Sequence, residues 1–272
     1  MDKIPRNERI ATLMKLLSDS PGKIFTLGSF TGMFGSAKST ISEDIDIVGN
    51  IFSKLDLGFI ETIPGALGGI RFIPSVSKGR TADILGRLCG ELAKKERLLP
   101  GGFIYMLDII YNPEWINDIA YIFAAHFFPK TIDYVVTVET KGIPLAFATA
   151  RYLSVPLIIV RRNSEAADGA SVSINYVSGS SKKIQTMVLS LRSLRRNSRL
   201  LFIDDFMKGG GTAKGIIELA KEFECEVAGI GVLVETAEPS KKLVEDYFSL
   251  LLLERVDEEK KIIEIRPHPD MM

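Results

Sequence analysis

LLFIDDFMKGGGTAKG, residues 200–215, sets an apolar run against two carboxylates, Asp204 and Asp205, and follows them with three glycines and the start of a helical stretch. A short run that is apolar at every position reads as a strand buried on both faces. Glycines let the backbone approach a ligand closely, and successive amides at the positive end of a helix form an anion site. A phosphate therefore fits at Lys208 to Thr212. The carboxylates stand three or more residues upstream, about 10 Å of extended chain at ~3.4 Å per residue, and need a different partner. Paired carboxylates accept hydrogen bonds from vicinal hydroxyls or hold a divalent metal, and a sugar with a 5′-phosphate presents its diol about that far from the phosphate. The stretch predicts a site for a phosphorylated ribose. Reading both acids as caps and the glycines as a plain turn leaves adjacent charges at the end of an apolar strand with nothing to bind them, which is costly.

Outward from this stretch, the runs IDYVVTVE, PLIIVRR, EVAGIGVLVE and FSLLLLER alternate with helical segments. Such alternation predicts an α/β domain with a mainly parallel sheet over residues 75–272, its ligands gathered beyond the carboxyl ends of the strands. VETKGIP, residues 138–144, is a second loop of that kind, with Thr140, Lys141 and Gly142 placed to offer amides and a cation. Gly209, Gly211 and Gly215 also imitate a loosened Rossmann fingerprint, with Glu235 as its ribose acid, but that fold has no use for a carboxylate pair beside the pyrophosphate. Ahead of these strands, TADILGRLCGELAKKERLL reads as one helix reaching the break at Pro100-Gly101-Gly102.

Residues 1–74 have another character. Ile10, Leu13, Met14, Leu16 and Leu17 recur at helical spacing; Thr26 is placed to cap a second helix; Ile41, Ile45, Val48 and Phe52 mark one face of a third that runs to about Leu55. GFIET and IRFIP then read as a hairpin around IPGALGG. Three helices and a hairpin predict a winged helix. Burial of the apolar face would leave Lys38, Ser39, Thr40 and Ser42 at the exposed start of the third helix, where base edges and phosphates are contacted, with Arg71 on the hairpin as a further contact. The competing reading makes Ser36 and Ser39 caps and Lys38 a solvated charge. Eight basic and eight acidic residues in this segment give no net field, so DNA binding would require the cations to be sorted onto one face. GMFGSAKS, residues 32–39, is one residue from a P-loop, but Ala37 stands where its second glycine belongs and no strand precedes it.

The whole chain of 272 residues is 46% hydrophobic and 25% charged, with 34 basic and 34 acidic residues, so no global charge draws it to nucleic acid or an acidic membrane. Cys89 and Cys225 have no zinc or redox spacing, and no apolar run reaches the ~20 residues of a membrane helix. A cytoplasmic protein without membrane contact is expected.

DDFMKGGGT resembles the phosphoribosyl pyrophosphate signature of the type I phosphoribosyltransferases, and VETKGIP resembles their pyrophosphate loop. The resemblance implies that Asp204 and Asp205 hold the ribose hydroxyls, that the loop through Phe206, Met207, Lys208, Gly209, Gly210, Gly211 and Thr212 holds the 5′-phosphate, and that Thr140, Lys141 and Gly142 face the pyrophosphate. Gly209 replaces the threonine usual in the enzymes, which puts catalysis in question. ETKGIPLAFATARYL, SVSINYVSGSS and VAGIGVLVE, behind a winged helix with PGALGG in its wing, extend the likeness over nearly the whole chain to the purine operon repressors of Gram-positive type. That family implies a DNA-binding homodimer without transferase activity, released from its operator by phosphoribosyl pyrophosphate, with guanosine tetraphosphate and pentaphosphate occupying an overlapping site and favouring repression; the sequence leaves open whether Mg²⁺ accompanies these effectors. An active purine phosphoribosyltransferase with an appended domain is the alternative that the same two loops allow.

Other features carry weaker expectations. Segment 163–181 is long and polar, which suits a lid over the ligand, with a plain exposed hairpin as the alternative. Phe103 is placed to stack on a nucleobase. Arg192, Arg195, Arg196 and Arg199 are expected at a helix end, complementing its dipole. His126 reads as a packed histidine, and RPHPDMM as a tail that includes His268.

Overall fold

The computed structural model describes residues 4–65, 68–163, 169–177 and 184–271. Helices α1 (Arg6–Asp19), α2 (Leu27–Phe34) and α3 (Lys38–Lys54) precede an antiparallel pair, β1 (Gly58–Ile63) and β2 (Gly69–Pro74). Thr26 Oγ1 accepts the Ser29 amide at 3.1 Å and so starts α2. Leu13, Leu17, Phe30, Phe34, Ile41, Val48, Phe52 and Phe72 close one core, as the helical periodicity predicts for a winged helix. Residues 66 and 67 of the wing tip lie outside the described residues.

Helix α4 (Lys78–Leu92), opened by Ser77 Oγ accepting the Arg80 amide, ends seven residues before the position its sequence suggests. The reason is tertiary. Arg97 is 7% exposed and binds the Glu91 carboxylate at 2.6 Å, the Asp108 carboxylate at 2.7 and 2.8 Å, and the Tyr105 carbonyl at 3.0 Å. A charged group so enclosed dictates the chain path, and helical propensity in LAKKERLL yields to it. A two-stranded ribbon follows, β3 (Leu98–Leu99) with β4 (Phe103–Ile104), then the short α5 (Leu107–Ile110) and α6 (Pro113–Phe127), whose first turn is capped by Asn112.

The main sheet contains β5 (Tyr134–Val138), β6 (Leu157–Val160), β9 (Arg199–Met207), β10 (Glu226–Thr236), β11 (Phe248–Asp257) and β12 (Ile262–Pro267), in the order β12-β11-β10-β9-β5-β6. All neighbours are parallel except β12, which pairs antiparallel with β11 at one edge. Helix α7 (Ile143–Leu153) joins β5 to β6, and α8 (Gly211–Glu222) joins β9 to β10. Leu201 and Ile203 of β9 pack with Leu85, Phe123 and Leu145 on one face, while Leu200 and Phe202 pack with Ile216 and Leu219 on the other. Burial on both faces explains the unbroken apolar run that opened the sequence reading. Chain direction across the sheet reverses between β5 and β9, so the loops after these two strands flank a natural crevice.

Where it is described, segment 163–181 takes the hairpin alternative, but with one side buried rather than plainly exposed. Strand β7 (Ser171–Val177) pairs in register with β8 (Ile184–Ser190), and Tyr176, Met187 and Leu189 are buried in the core that includes α8. Residues 164–168 and 178–183 lie outside the described residues. Arg192, Arg195 and Arg196 are not on a helix but in the irregular β8–β9 connection, and Arg199 opens β9; that connection runs against the carboxyl end of α8, where Asn197 N donates to Glu224 O at 2.9 Å. Arg196 pairs with Glu224, just past the end of α8, at 3.3 Å.

Candidate effector site and nucleic-acid interface

Asp204 and Asp205 sit inside β9, which continues to Met207, rather than just after it. Pairing with Val232 on β10 holds Asp204 in the crevice, and its Oδ1 accepts the Asp205 amide at 3.0 Å. Burial raises the Asp204 carboxyl well above the ordinary carboxylate range, and the neighbouring Asp205 charge adds to this. Burial also raises Asp205, against opposing contributions from its hydrogen bond to Asp204 and the Lys141 charge. Two crowded carboxyls of this kind are poised to accept hydroxyl donors or a cation.

The phosphate half lies directly beyond. Gly210 adopts φ +77°, a left-handed turn that glycine takes without strain, and α8 starts at Gly211 with no side chain capping its amides. The Gly209 carbonyl of this loop is engaged by the backbone beyond β10. Leu243 N donates to Gly209 O at 2.9 Å. Amides of the loop are thereby left for an anion at a helix start.

Thr140, Lys141 and Gly142 turn from β5 into α7 across a cis peptide between Glu139 and Thr140. Gly142 is a close-approach glycine: a Cβ there would stand 2.6 Å from Thr137 Oγ1 and 3.1 Å from Asp204 Oδ1. Together the two loops line a cleft of about 420 Å³ that contains Asp204 to Thr212 with Thr140 and Lys141. A second compartment of about 480 Å³ shares Lys141, Asp205, Phe206 and Lys208 with the first and extends to Gly101, Gly102 and Phe103. Phe103 is 66% exposed, with its ring available to that compartment.

Several residues of the cleft escaped the sequence reading. Arg162 lies just past the end of β6, and its amide donates to Glu139 Oε1 at 2.6 Å. The carboxyl-end rule applied to PLIIVRR would have found it. Tyr176 and Gln185 reach the cleft from the hairpin; the Tyr176 hydroxyl donates to Gln185 Oε1 at 2.7 Å, and its ring position brings it to Thr212. Thr137 Oγ1 is buried beside Gly142 without a protein partner. Among the described residues no group of three or more His, Cys, Asp or Glu gathers as a metal site.

Glu235, the acid of the Rossmann alternative, is buried and engaged elsewhere. It accepts from the Tyr247 hydroxyl at 2.5 Å and faces His268 Nε2 at 2.9 Å. The terminal segment is thus built into the domain: Arg266 pairs with Glu254 at 2.6 Å, and His268 N donates to Leu250 O at 2.9 Å. His126 stacks on Phe248 at 3.5 Å and keeps its other side exposed.

In the amino-terminal domain the start of α3 is open. Ala37 occupies the cap position and provides no side-chain bond, so the capping reading of Ser36 and Ser39 does not hold; Ser36 is buried and donates to Phe34 O at 3.3 Å. Lys38, Ser39 and Ser42 are exposed and Thr40 is half-buried. Arg71 is not with them. It pairs with Glu61 at 2.5 Å and lies over the Phe128 ring of the second domain, 5.9 Å from its centroid. No described helix is long and apolar enough to cross a membrane.

Comparison with known proteins agrees with both halves. The amino-terminal domain of bacterial purine repressors matches residues 5–74, and the phosphoribosyl transferase domain matches residues 108–267. Over 264 residues the chain is 45% identical to the purine biosynthesis transcriptional repressor PurR of Bacillus subtilis, covering 97% of this chain and 93% of that protein. It is 38% identical to the purine biosynthesis transcriptional activator PurR of Lactococcus lactis over 96% of each. The adenine phosphoribosyltransferase of Giardia lamblia superposes with a TM-score of 0.54 at 23% identity, over 64% of this chain and 98% of that one, which is a likeness of fold. With a winged helix of the repressor type, a phosphoribosyltransferase domain behind it, and identity to purine regulators along almost its full length, the chain belongs to the family of bacterial purine repressors.

Proposed function

We propose that this protein represses genes of purine biosynthesis and transport by binding operator DNA as a homodimer in the cytoplasm, and that phosphoribosyl pyrophosphate releases it. The observation that carries this reading is the joining, in one chain, of a sugar-phosphate cleft to a winged helix whose third helix begins uncapped and exposed. Free amides and Lys38, Ser39, Thr40 and Ser42 at that helix start suit a DNA phosphate and base edges. In the cleft, Asp204 and Asp205 take the ribose hydroxyls, the loop from Phe206 to Thr212 takes the 5′-phosphate, and Thr140 to Gly142 face the pyrophosphate. Phe103 supplies a ring for a purine base, so guanosine tetraphosphate and pentaphosphate compete there and favour repression.

A Mg²⁺ ion fits this donor set without a dedicated cage. One or two carboxylates with ligand phosphates and water satisfy its octahedral demand, and Asp204 and Asp205 are the residues that would hold it. When bound, the ion supplies charge neutralisation for the pyrophosphate. Regulation follows from linkage: an effector shifts the DNA equilibrium only by the ratio of its affinities for the DNA-competent and DNA-incompetent forms.

Absence of transferase activity belongs to the same proposal, supported by Gly209 in place of the usual threonine and by relatives named as regulators. Purine-gene promoter DNA should be retarded by the pure protein, with phosphoribosyl pyrophosphate weakening the complex and guanosine tetraphosphate opposing that effect. In transcription reconstituted in vitro, addition of the protein should lower promoter output and phosphoribosyl pyrophosphate should restore it. Rising output on adding the protein would make it an activator, and nucleobase turnover with pyrophosphate release and no DNA retention would make it a transferase.

A further inference from the structure

The turn that ends the third helix is held by the effector domain. Leu55 closes α3, Asp56 follows at φ +53°, and Leu57 leads into the wing. The Asp56 carboxylate accepts Ser77 N at 3.0 Å and Ser77 Oγ at 2.6 Å, and the Asp56 carbonyl accepts Arg80 Nη1 at 2.8 Å. Leu57 O accepts the hydroxyl of Tyr121, which projects from the middle of α6. These donors come from the linker and the second domain, so the carboxyl end of the DNA-facing helix is positioned by groups outside its own domain.

Tyr121 in turn rests on α7. Its ring meets that of Tyr152 edge to face, at 5.0 Å between centroids and 90° between planes. Tyr152 lies one residue from the carboxyl end of α7, an 11-residue helix about 16 Å long at ~1.5 Å rise per residue. The other end of α7 is Gly142 and Ile143, pressed so closely on Thr137 and Asp204 that no Cβ fits between. One rigid helix therefore spans from the carboxylate that faces the ligand to the ring that backs Tyr121. Aromatic edge contacts and a single hydroxyl bond are directional, so a small shift of α7 changes both. A cavity of about 230 Å³ beside Tyr121, Tyr152 and Leu57 leaves space for the pair to repack.

We propose that α7 and the Tyr152–Tyr121 pair transmit occupancy of the effector cleft to the carboxyl end of the DNA-contacting helix. This rests on the function proposed above and adds to it the route by which ligand and DNA are coupled. Position between two sites is not itself coupling; what makes the route specific is that it contains one stiff element with a removable contact at its far end.

Full-length Tyr121→Phe, Tyr152→Leu and the double variant separate the possibilities. Operator affinity is measured by fluorescence anisotropy with and without saturating phosphoribosyl pyrophosphate, and effector affinity by calorimetry. Each single variant should keep effector affinity within about twofold of wild type while reducing the effector-induced change in operator affinity at least about threefold, and the double variant should fall little further than the stronger single one. Undiminished coupling in both single variants overturns the relay, as does coupling lost together with effector binding, which would mark the tyrosines as merely structural. A wild-type chain that takes up no phosphoribosyl pyrophosphate fails the effector reading itself and the relay with it. A responsive wild type beside equally responsive variants fails the relay alone.

Discussion

Arg9 of α1 and Asp44 of α3 form an ion pair inside the winged helix, with Nε 2.7 Å from Oδ2 and side chains 5% and 0% exposed. Arg6 adds a second contact to the same carboxylate at 3.1 Å from a more exposed position. The pair fastens the DNA-facing helix to the first helix. Asp44→Ala would leave the Arg9 guanidinium enclosed without its counter-charge, at a cost of about 3–5 kcal/mol, whereas replacing both by apolar residues of similar volume should cost much less. Chemical denaturation of the two variants checks this; an Asp44→Ala protein within about 0.5 kcal/mol of wild type would show that the pair does not hold the helix.

Gly142 tests the effector cleft without touching its charges. Its backbone, at φ −68°, accepts any residue, so the effect of Gly142→Ala is steric: the new methyl meets Thr137 Oγ1 at 2.6 Å and Asp204 Oδ1 at 3.1 Å. Overpacking of this sort costs about 1–3 kcal/mol. Displacement of Asp204 should weaken phosphoribosyl pyrophosphate binding by about tenfold or more, the equivalent of 1.4 kcal/mol. Calorimetry showing wild-type effector affinity would exclude the close approach.

Much of this was legible in the chain. Asp204 and Asp205 stand out as paired acids on an otherwise apolar run, and several of the parallel strands are marked by apolar runs that suit burial on both faces. The exceptions have particular causes. Termination of α4 at Leu92 depends on Arg97 meeting Asp108, a contact between residues that local propensity treats separately. In the β7 segment Ser171, Ser173 and Asn175 alternate with Val172, Ile174 and Tyr176, which face the core, so the hairpin there is half-buried rather than plainly exposed. Equal counts of acid and base in residues 1–74 concealed that Arg9 and Asp44 neutralise each other internally and that Arg71 is committed to Glu61. A census of charges cannot distinguish buried pairs from a free surface.

The carboxyl pair gives a pH signature. Burial, and for Asp204 the adjacent Asp205 charge, raises both groups in the ligand-free fold above their unfolded values. Their contribution to stability is therefore fully present below the unfolded carboxylate range and is lost as pH rises through the raised values. Asp204→Asn and Asp205→Asn should melt higher than wild type at pH 8, with the gap narrowing toward pH 5. Ribose hydroxyls donate to the ionised form, so effector binding in the range where the pair is partly protonated should release protons, seen as a buffer-dependent heat. Variants that melt below wild type at pH 8 would contradict the raised values.

Lys38 at the start of α3 makes the corresponding test of the DNA surface. The side chain is exposed and forms none of the ion pairs that occupy Arg6, Arg9 and Arg71 in this domain. A lysine on a DNA phosphate releases about one counterion, so Lys38→Ala should reduce the magnitude of the logarithmic salt slope of operator binding by ~1 and weaken binding by a similar factor for any sequence. Arg71→Ala, by contrast, should leave that slope unchanged, because its guanidinium is engaged with Glu61 and the Phe128 ring. The two slopes, measured between 50 and about 200 mM salt, must differ if α3 meets the duplex and the inner face of the wing does not. Equal slopes for both variants would turn the DNA-facing surface toward the wing.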